Sequence, residues 1–250
     1  MRNIAIRPHP LLQRADLQAN GLLAVMPQDA LGRLLPAIEK ISLVAGELLD
    51  DVGSGSENAY FPADMIVTVM VPVDGYKTTK VAVIGREGMI GVPYFMGNGL
   101  PLRRLVVLNN GNAFKISAAV LKTEFDRNGP VMRLLLRFAQ TLITQMAQTV
   151  VCNRHHMVDQ QLCTWLLNCI DRLPQGSPLQ VTHETIAGML GVRRESIAES
   201  ANKLRESGLI CYSRGKVSLL DRAGMQSKAC ECYQVVKREI DRLLPDRPAT

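Results

Sequence analysis

The spacing of apolar residues divides the chain into stretches of different period. Across residues 11–40, Leu22, Leu23, Met26, Leu31, Leu34, Leu35 and Ile38 fall near helical spacing, which predicts helix there. From about 41 to 120 short β-branched runs replace them, at Ile66–Val73, Thr78–Ile84, Leu105–Leu108 and Ala113–Ile116, separated by Gly, Asn and Asp. Asp74-Gly75 between two of these runs is a hairpin signal, and the stretch reads as a small antiparallel sandwich or roll.

Gly129-Pro130 closes that region, with Pro130 suited to the first turn of a helix. From Val131 to about His155 neither Gly nor Pro interrupts the chain. Leu135, Phe138, Leu142, Gln145, Thr149 and Cys152 alternate at three and four residues, the spacing of a two-helix seam, which turns polar toward its end. Packing of that row onto its own domain is the competing reading. A second amphipathic helix is predicted from about Val158 to Leu173, carried by Leu162, Trp165, Leu166, Cys169 and Ile170. After the turn-rich Pro174–Pro178 link, the remainder divides into three helices and a hairpin.

Residues 182–206 carry the strongest local signal. Thr182 can cap a helix with Thr185 three residues on, and Ile186, Ala187 and Leu190 form its apolar face. Gly191 permits the left-handed conformation that reverses the chain, and a second helix follows from about Arg194 to Ser207. A bulky residue at Ala187 or a β-carbon at Gly191 would force two crossing helices apart, which is the restriction a helix-turn-helix imposes. Ile197, Ala201 and Leu204 share the buried face of the second helix, leaving Glu195, Glu199 and Asn202 outside. Arg193 and Arg194 stand at its N-terminal end, the part that enters a major groove. Arg reads guanine bidentately and Glu accepts from cytosine. A solvated face with internal ion pairs is the competing reading of Arg194, Glu195 and Glu199. Beyond Gly208, Leu209–Ser213 and Lys216–Leu220 flank Arg214-Gly215, a hairpin wing whose Arg214 and Lys216 suit phosphates.

Charge sharpens this picture. The net +6 of the 250 residues is spread as +1 over residues 1–128, +3 over 129–156 and +2 over 157–250, so no tail is strongly basic. Within residues 193–216, however, Arg193, Arg194, Lys203, Arg205, Arg214 and Lys216 face only Glu195, Glu199 and Glu206, leaving +3. A hydrophobic share of 47% fits a globular chain, and no apolar run approaches a membrane-spanning length. The N-terminal stretch lacks an apolar core of signal-peptide length, and all six cysteines follow residue 151; both features predict reduced thiols in a cytoplasmic protein.

At this point the order of roll, long helix and winged helix-turn-helix resembles the Crp/Fnr superfamily of bacterial transcription regulators. THETIAGMLGVRRESIAESANKLRESGLICYSRGKVSLLDR carries the resemblance most strongly, and YFPADMIVTVMV with DGYKTTKVAVIGREGMIGV more loosely. The resemblance implies an α+β fold: an N-terminal antiparallel β-roll (a double-stranded β-helix like cyclic-nucleotide-binding domains), a long dimerisation helix and a C-terminal winged helix-turn-helix. The corresponding domains are 1–128 for effector sensing, 129–156 for dimerisation through Leu135, Phe138, Leu142 and Gln145, and 157–250 for DNA binding. It implies a homodimer on double-stranded DNA, RNA polymerase as a further partner, and a small-molecule effector that alters the angle between the two recognition helices. The family's R-E-[ST] core falls on Arg194, Glu195 and Ser196, implying base contacts from the first two. The next contact, often Arg in the family, falls here on Glu199, and Thr182 and His183 occupy positions that touch backbone phosphate.

The effector positions depart from the family's cyclic-nucleotide pattern. Gly88-Met89 stands where a Gly-Glu pair holds ribose, and Arg103-Arg104-Leu105 where Arg-Ser/Thr holds the cyclic phosphate, after extra residues that include Gly97, Gly99 and Pro101. Methionine offers a ribose hydroxyl no useful acceptor. An oxygen-sensing iron–sulfur cluster would need cysteines near the N-terminus, and haem a histidine in the roll; neither is present. No catalytic residue, metal or cofactor is therefore expected: Cys163 and Cys169 read as core thiols, Cys230-Glu231-Cys232 lacks zinc-site spacing, and His155-His156 read as a solvated turn, weakly suited to a pH or metal response. Two competing classes remain: a cupin-like small-molecule-binding or enzymatic roll, for which the four histidines lie badly placed, and a winged helix used for protein or RNA contacts.

Overall fold

The structure, a computed structural model, describes residues 12–51, 57–73, 77–97 and 103–244. Residues 16–24 and 28–37 form short pieces rather than the continuous helix expected over 11–40: a 3₁₀ turn at Asp16–Ala19, α1 at Gly21–Ala24, α2 at Gln28–Leu34 and a second 3₁₀ turn at Leu35–Ala37. Chain-breaking residues decide this. Asn20 is extended and its Oδ1 accepts the amides of Leu22 and Leu23, so it starts a helix rather than continuing one, and Pro27 starts the next. Asn20 is fully buried, and its amide nitrogen donates to the carbonyls of Pro62 and Gly88, each at 2.9 Å, so its side chain is satisfied. Strand β1 (Glu39–Leu43) begins where the helix was expected to end.

Two antiparallel sheets make the roll. One has the order β1-β7-β3, with β3 at Asn58–Pro62 and β7 at Gly111–Ser117. The other has the order β2-β6-β4-β5, with β2 at Leu48–Asp50, β4 at Val67–Val73, β5 at Lys77–Ile84 and β6 at Arg104–Val107. The expected β-branched runs are strands, and β4 pairs with β5 along its whole length. The Asp74-Gly75 turn between them, like Gly99 and Pro101, lies outside the described residues. Short β1, β2 and β3 escaped the reading because their burial does not alternate cleanly. Helices α3 (Val92–Met96) and α4 (Ala118–Phe125) meet through Phe95 and Phe125, whose rings lie 4.8 Å apart.

The continuous apolar run of β4 has a structural cause. Val67, Val69, Ala82 and Ile84 face the roll core, whereas Ile66, Met70 and Val83 face a second core shared with the C-terminal helices. A strand covered on both faces loses the alternation of a half-exposed one.

Helix α5 runs from Pro130 to His155, 26 residues and about 39 Å, with Gly129 as its N-cap. Its expected seam is turned inward. Leu135 and Phe138 are buried in the roll core, Leu142 packs against it, and Gln145 and Cys152 are buried within the chain. The row left outside is Leu136, Gln140, Ile143, Ala147, Val150 and Arg154, one to two residues later in phase and again at alternating four and three. Ile143 is 55% and Val150 68% exposed. The sequence held two candidate rows, and the sheet behind α5 selected the inner one.

Helix α6 (Val158–Ile170) leads to β8 (Leu179–Gln180), α7 (His183–Leu190), α8 (Arg194–Glu206), β9 (Ile210–Ser213) and β10 (Lys216–Leu219). The tail then makes two helices, α9 (Arg222–Lys228) and α10 (Glu231–Leu243), so four helices rather than three follow the Pro174–Pro178 link. Ala229 and Cys230 are extended and break them apart. Helix α10 folds back: Val236, Ile240 and Leu244 bury themselves in the roll core beside Leu135 and Phe138. The helix-turn-helix end is thus not a free module: Val236, Ile240 and Leu244 belong spatially to the first core, while Tyr233 stays in the second.

Candidate nucleic-acid interface

The helix pair is built as its spacing requires. Thr182 Oγ1 accepts the Thr185 amide at 3.1 Å, capping α7. Ile186, Ala187 and Leu190 of α7 and Ile197, Ala201 and Leu204 of α8 are buried together. Gly191 sits at φ 68°, a left-handed turn that a β-carbon would strain. With its inner face consumed in this way, α8 can present only its other side and its N-terminal end. Arg193, Arg194, Glu195, Glu199 and Lys203 are exposed there, and Ser196 is half-buried.

The exposed charges are not equivalent. Lys203 lies 2.9 Å from Glu199 and 3.5 Å from Asp159, and those carboxylates raise its pKa. Glu199 is thereby committed to a neighbour along its own helix. Among the described residues Arg193 and Arg194 make no ion pair. They extend from a helix N-terminus whose free amides also favour an anion. In the wing, β10 pairs with β9 on one side and β8 on the other. Arg214 at φ 50° and Gly215 at φ 72° form the tight two-residue turn, leaving Arg214 and Lys216 exposed.

Residues 160–228 match the family model of the Crp-like helix-turn-helix domain. The C-terminal half therefore contains a Crp-like helix-turn-helix. The fold of the described residues is similar to that of solved Crp/Fnr-type regulators. FixK2 of Bradyrhizobium japonicum superposes with a TM-score of 0.66 at 13% identity, covering 77% of this chain and 98% of that one. A regulator from Eubacterium rectale assigned to the Crp/Fnr family gives 0.63 at 16% identity, covering 84% and 98%. The cyclic-di-GMP-responsive global regulator CLP of Xanthomonas campestris gives 0.58 at 15% identity, covering 78% and 100%. No curated protein sequence matches the chain.

In this Crp-like domain the two residues expected on phosphate differ. Thr182 is exposed, but its hydroxyl is engaged by the cap and by Thr185 Oγ1 at 2.9 Å. His183 is half-buried and stacked on Tyr212 of β9, ring centres 4.5 Å apart, with its Nε2 buried and lacking a partner among the described residues. Burial first, and the Arg194 charge second, lower its pKa. Tyr212 in turn donates to the Val181 carbonyl at 2.9 Å, so this pair binds the wing to the start of α7. His183 is a strut between wing and helix.

The effector positions of the Crp/Fnr-like roll also separate. Gly88 backs onto α5, where a β-carbon would overlap the Phe138 ring, and Met89 is fully buried. Arg104 forms a two-pronged ion pair with Asp51 at 3.1 and 3.2 Å, so part of its guanidinium is already engaged. Met89 and Arg103, with Leu142 and Met146, line a cavity of about 20 Å³ inside the roll, room for about one water. Burial lowers the pKa of Arg103, opposed by Asp50 and Tyr94. A second cavity of about 40 Å³ lies among β5, α5 and α6, where burial pushes the Lys80 ammonium down to about 8.

Sequence reasoning missed one constellation. Cys152, His156, Cys230 and Cys232 place one ligand atom each within 4.8 Å of the others. The i, i+4 spacing of the first two and the C-x-C of the last two are weak signals singly, and only the docking of α10 on α5 unites them. The expectation of no metal rested on that missing pairing.

Among the described residues no helix is long and apolar enough to cross a membrane.

Proposed function

We propose that this chain is a sequence-specific DNA-binding transcriptional regulator acting as a homodimer. The observation that carries the reading is the N-terminal end of α8: two exposed arginines, unpaired among the described residues, on a helix whose opposite face is wholly buried. Arg194 and Glu195 would read base edges; Arg193, Arg214 and Lys216 would hold phosphates. Glu199, bound to Lys203, would contribute less to readout than its position suggests. The apolar row Leu136, Ile143, Ala147 and Val150 supports a two-helix seam with a second copy, in place of Leu135, Phe138, Leu142 and Gln145. The roll would be a non-catalytic, regulatory domain. Buried Met89 in place of a carboxylate, and Arg104 paired with Asp51, support an effector other than a cyclic nucleotide, or regulation without one. DNA as the ligand implies a cytoplasmic site of action, with RNA polymerase as the further partner.

Selection from random duplexes with the full chain tests this. The expected result is a two-fold symmetric motif with half-sites about one helical turn, roughly 34 Å, apart or a multiple of it. Recovery of no enriched motif would overturn sequence-specific binding, and an enriched single half-site would overturn the dimer.

A further inference from the structure

We infer that Cys152, His156, Cys230 and Cys232 form a closed tetrahedral site for one zinc ion. The site stands on geometry independent of the DNA-binding reading. Cys152 and His156 come from the end of α5, one helical turn apart; Cys230 is the N-cap of α10 and Cys232 lies in its first turn. Zinc, with about 2.3 Å to sulfur and about 2.0–2.1 Å to nitrogen, sets ligand–ligand edges of about 3.5–3.8 Å. Cys152 Sγ and Cys230 Sγ are 3.6 Å apart, as are Cys232 Sγ and His156 Nδ1. All four atoms fall within 4.8 Å, so closing the remaining edges needs about 1 Å or less. A four-iron cluster, whose sulfurs stand around a cube of iron and sulfide, needs a wider ring than this.

The surroundings are those of a metal site as well. With Nδ1 facing the sulfurs, His156 Nε2 lies 3.2 Å from Glu231 Oε1, the carboxylate–histidine arrangement that orients a ligating imidazole. Thr164 Oγ1 accepts the Cys230 amide at 3.2 Å and so turns its proton to Cys230 Sγ at 3.1 Å. Gln161 Nε2 donates to the Cys152 and His156 carbonyls at 3.3 and 2.8 Å, holding the end of α5 in place. The three sulfurs are buried, and three thiolates around a divalent ion leave one negative charge beside the N-terminus of α10, where the helix dipole favours it. Thiolate donors select zinc over magnesium or calcium, and four protein ligands leave no open position, which makes the site structural. The 40 Å³ cavity reaches Cys152 and Cys232 and provides an entry path. A bound ion would tie α5 to α10 and, through Thr164, to α6, at the joint between the long helix and the helix-turn-helix.

The test is metal content of the full chain, purified under reductant after growth with zinc, measured by plasma mass spectrometry. One zinc per chain is expected in the wild type and in Cys211→Ser, whose exposed thiol lies on the wing. Cys152→Ser and Cys232→Ser should lose it. Because these variants can fail to fold, cobalt(II) is also loaded into the wild-type chain. The expected spectrum has intense tetrahedral bands with thiolate-to-cobalt charge transfer, strengthened in His156→Cys. Substoichiometric zinc after loading, zinc retained by both serine variants, an octahedral cobalt spectrum, iron with sulfide or copper in its place, or a Cys152–Cys230 disulfide that persists in the reductant would each overturn the site.

Discussion

Arg194 and His183 sit close enough to interact electrostatically, yet their surroundings give them opposite roles. Arg194 is exposed and unpaired among the described residues, so it is free to meet a base edge. Removing a bidentate guanine contact costs about 1–3 kcal/mol. Arg194→Ala should therefore weaken binding to the selected motif by roughly 5- to 150-fold while leaving binding to random duplex nearly unchanged. Fluorescence anisotropy on both DNAs measures this; equal losses would reassign Arg194 to phosphate. Burial first, and then the adjacent Arg194 charge, disfavour the charged form of His183. Its folded pKa lies below the ordinary value of about 6.5, so the unfolded chain binds the proton first as pH falls. The stability it confers is complete above about pH 6.5 and is lost progressively below it. His183→Phe, which keeps a ring against Tyr212, should lose less of its thermal midpoint between about pH 7.5 and about pH 5.5 than the wild type. Equal losses would show that another group controls the acid limb.

The long helix shows why element-level patterns need their neighbours. Two rows on α5 satisfy alternating spacing, and the row expected as the seam is the one richer in leucine and phenylalanine. Those larger residues fill the roll core instead. The outer row of Leu136, Ile143, Ala147 and Val150 is the one left exposed, and so the one that would meet the proposed second copy. Ile143→Glu should convert dimers to monomers in light scattering while leaving helix content by circular dichroism unchanged. A dimer that survives it would place the interface off this face. Leu142→Glu is the poorer probe, since Leu142 packs on the core and would report unfolding instead.

On the scale of the whole molecule, the roll and the C-terminal helices share apolar cores and are also tied by a buried ion pair. Arg172, just after α6, lies 2.7 Å from Glu87 of the roll, and both side chains are 5% exposed. Gly85 makes room for it, since a β-carbon there would overlap the Arg172 side chain. Deleting one member leaves the other charge buried and unpaired, a cost of about 3–5 kcal/mol. Arg172→Ala should lower the thermal midpoint by about 10 °C, and a drop within about 2 °C would mean that water already reaches Glu87. Double replacement with apolar residues of similar volume should recover much of the loss.

How much was legible before the structure follows from the range of the forces involved. The helix-turn-helix and wing depend on local rules: a cap at Thr182, a left-handed turn at Gly191, a tight turn at Arg214-Gly215 and apolar positions one helical turn apart. Nearly every boundary there agrees with the reading to within a residue or two. The broken helices over 16–37, by contrast, combine local breaks at Asn20 and Pro27 with the burial of Asn20, whose amide is satisfied by Pro62 and Gly88, 42 and 68 residues away. The direction of the α5 rows, the second burial of β4 and the meeting of Cys152 and His156 with Cys230 and Cys232 are likewise pairings between distant segments. Sequence alone determined the elements whose hydrogen bonds close within a few residues. Only tertiary structure decided which faces those elements bury, because a face is chosen by whatever surface the rest of the chain brings against it.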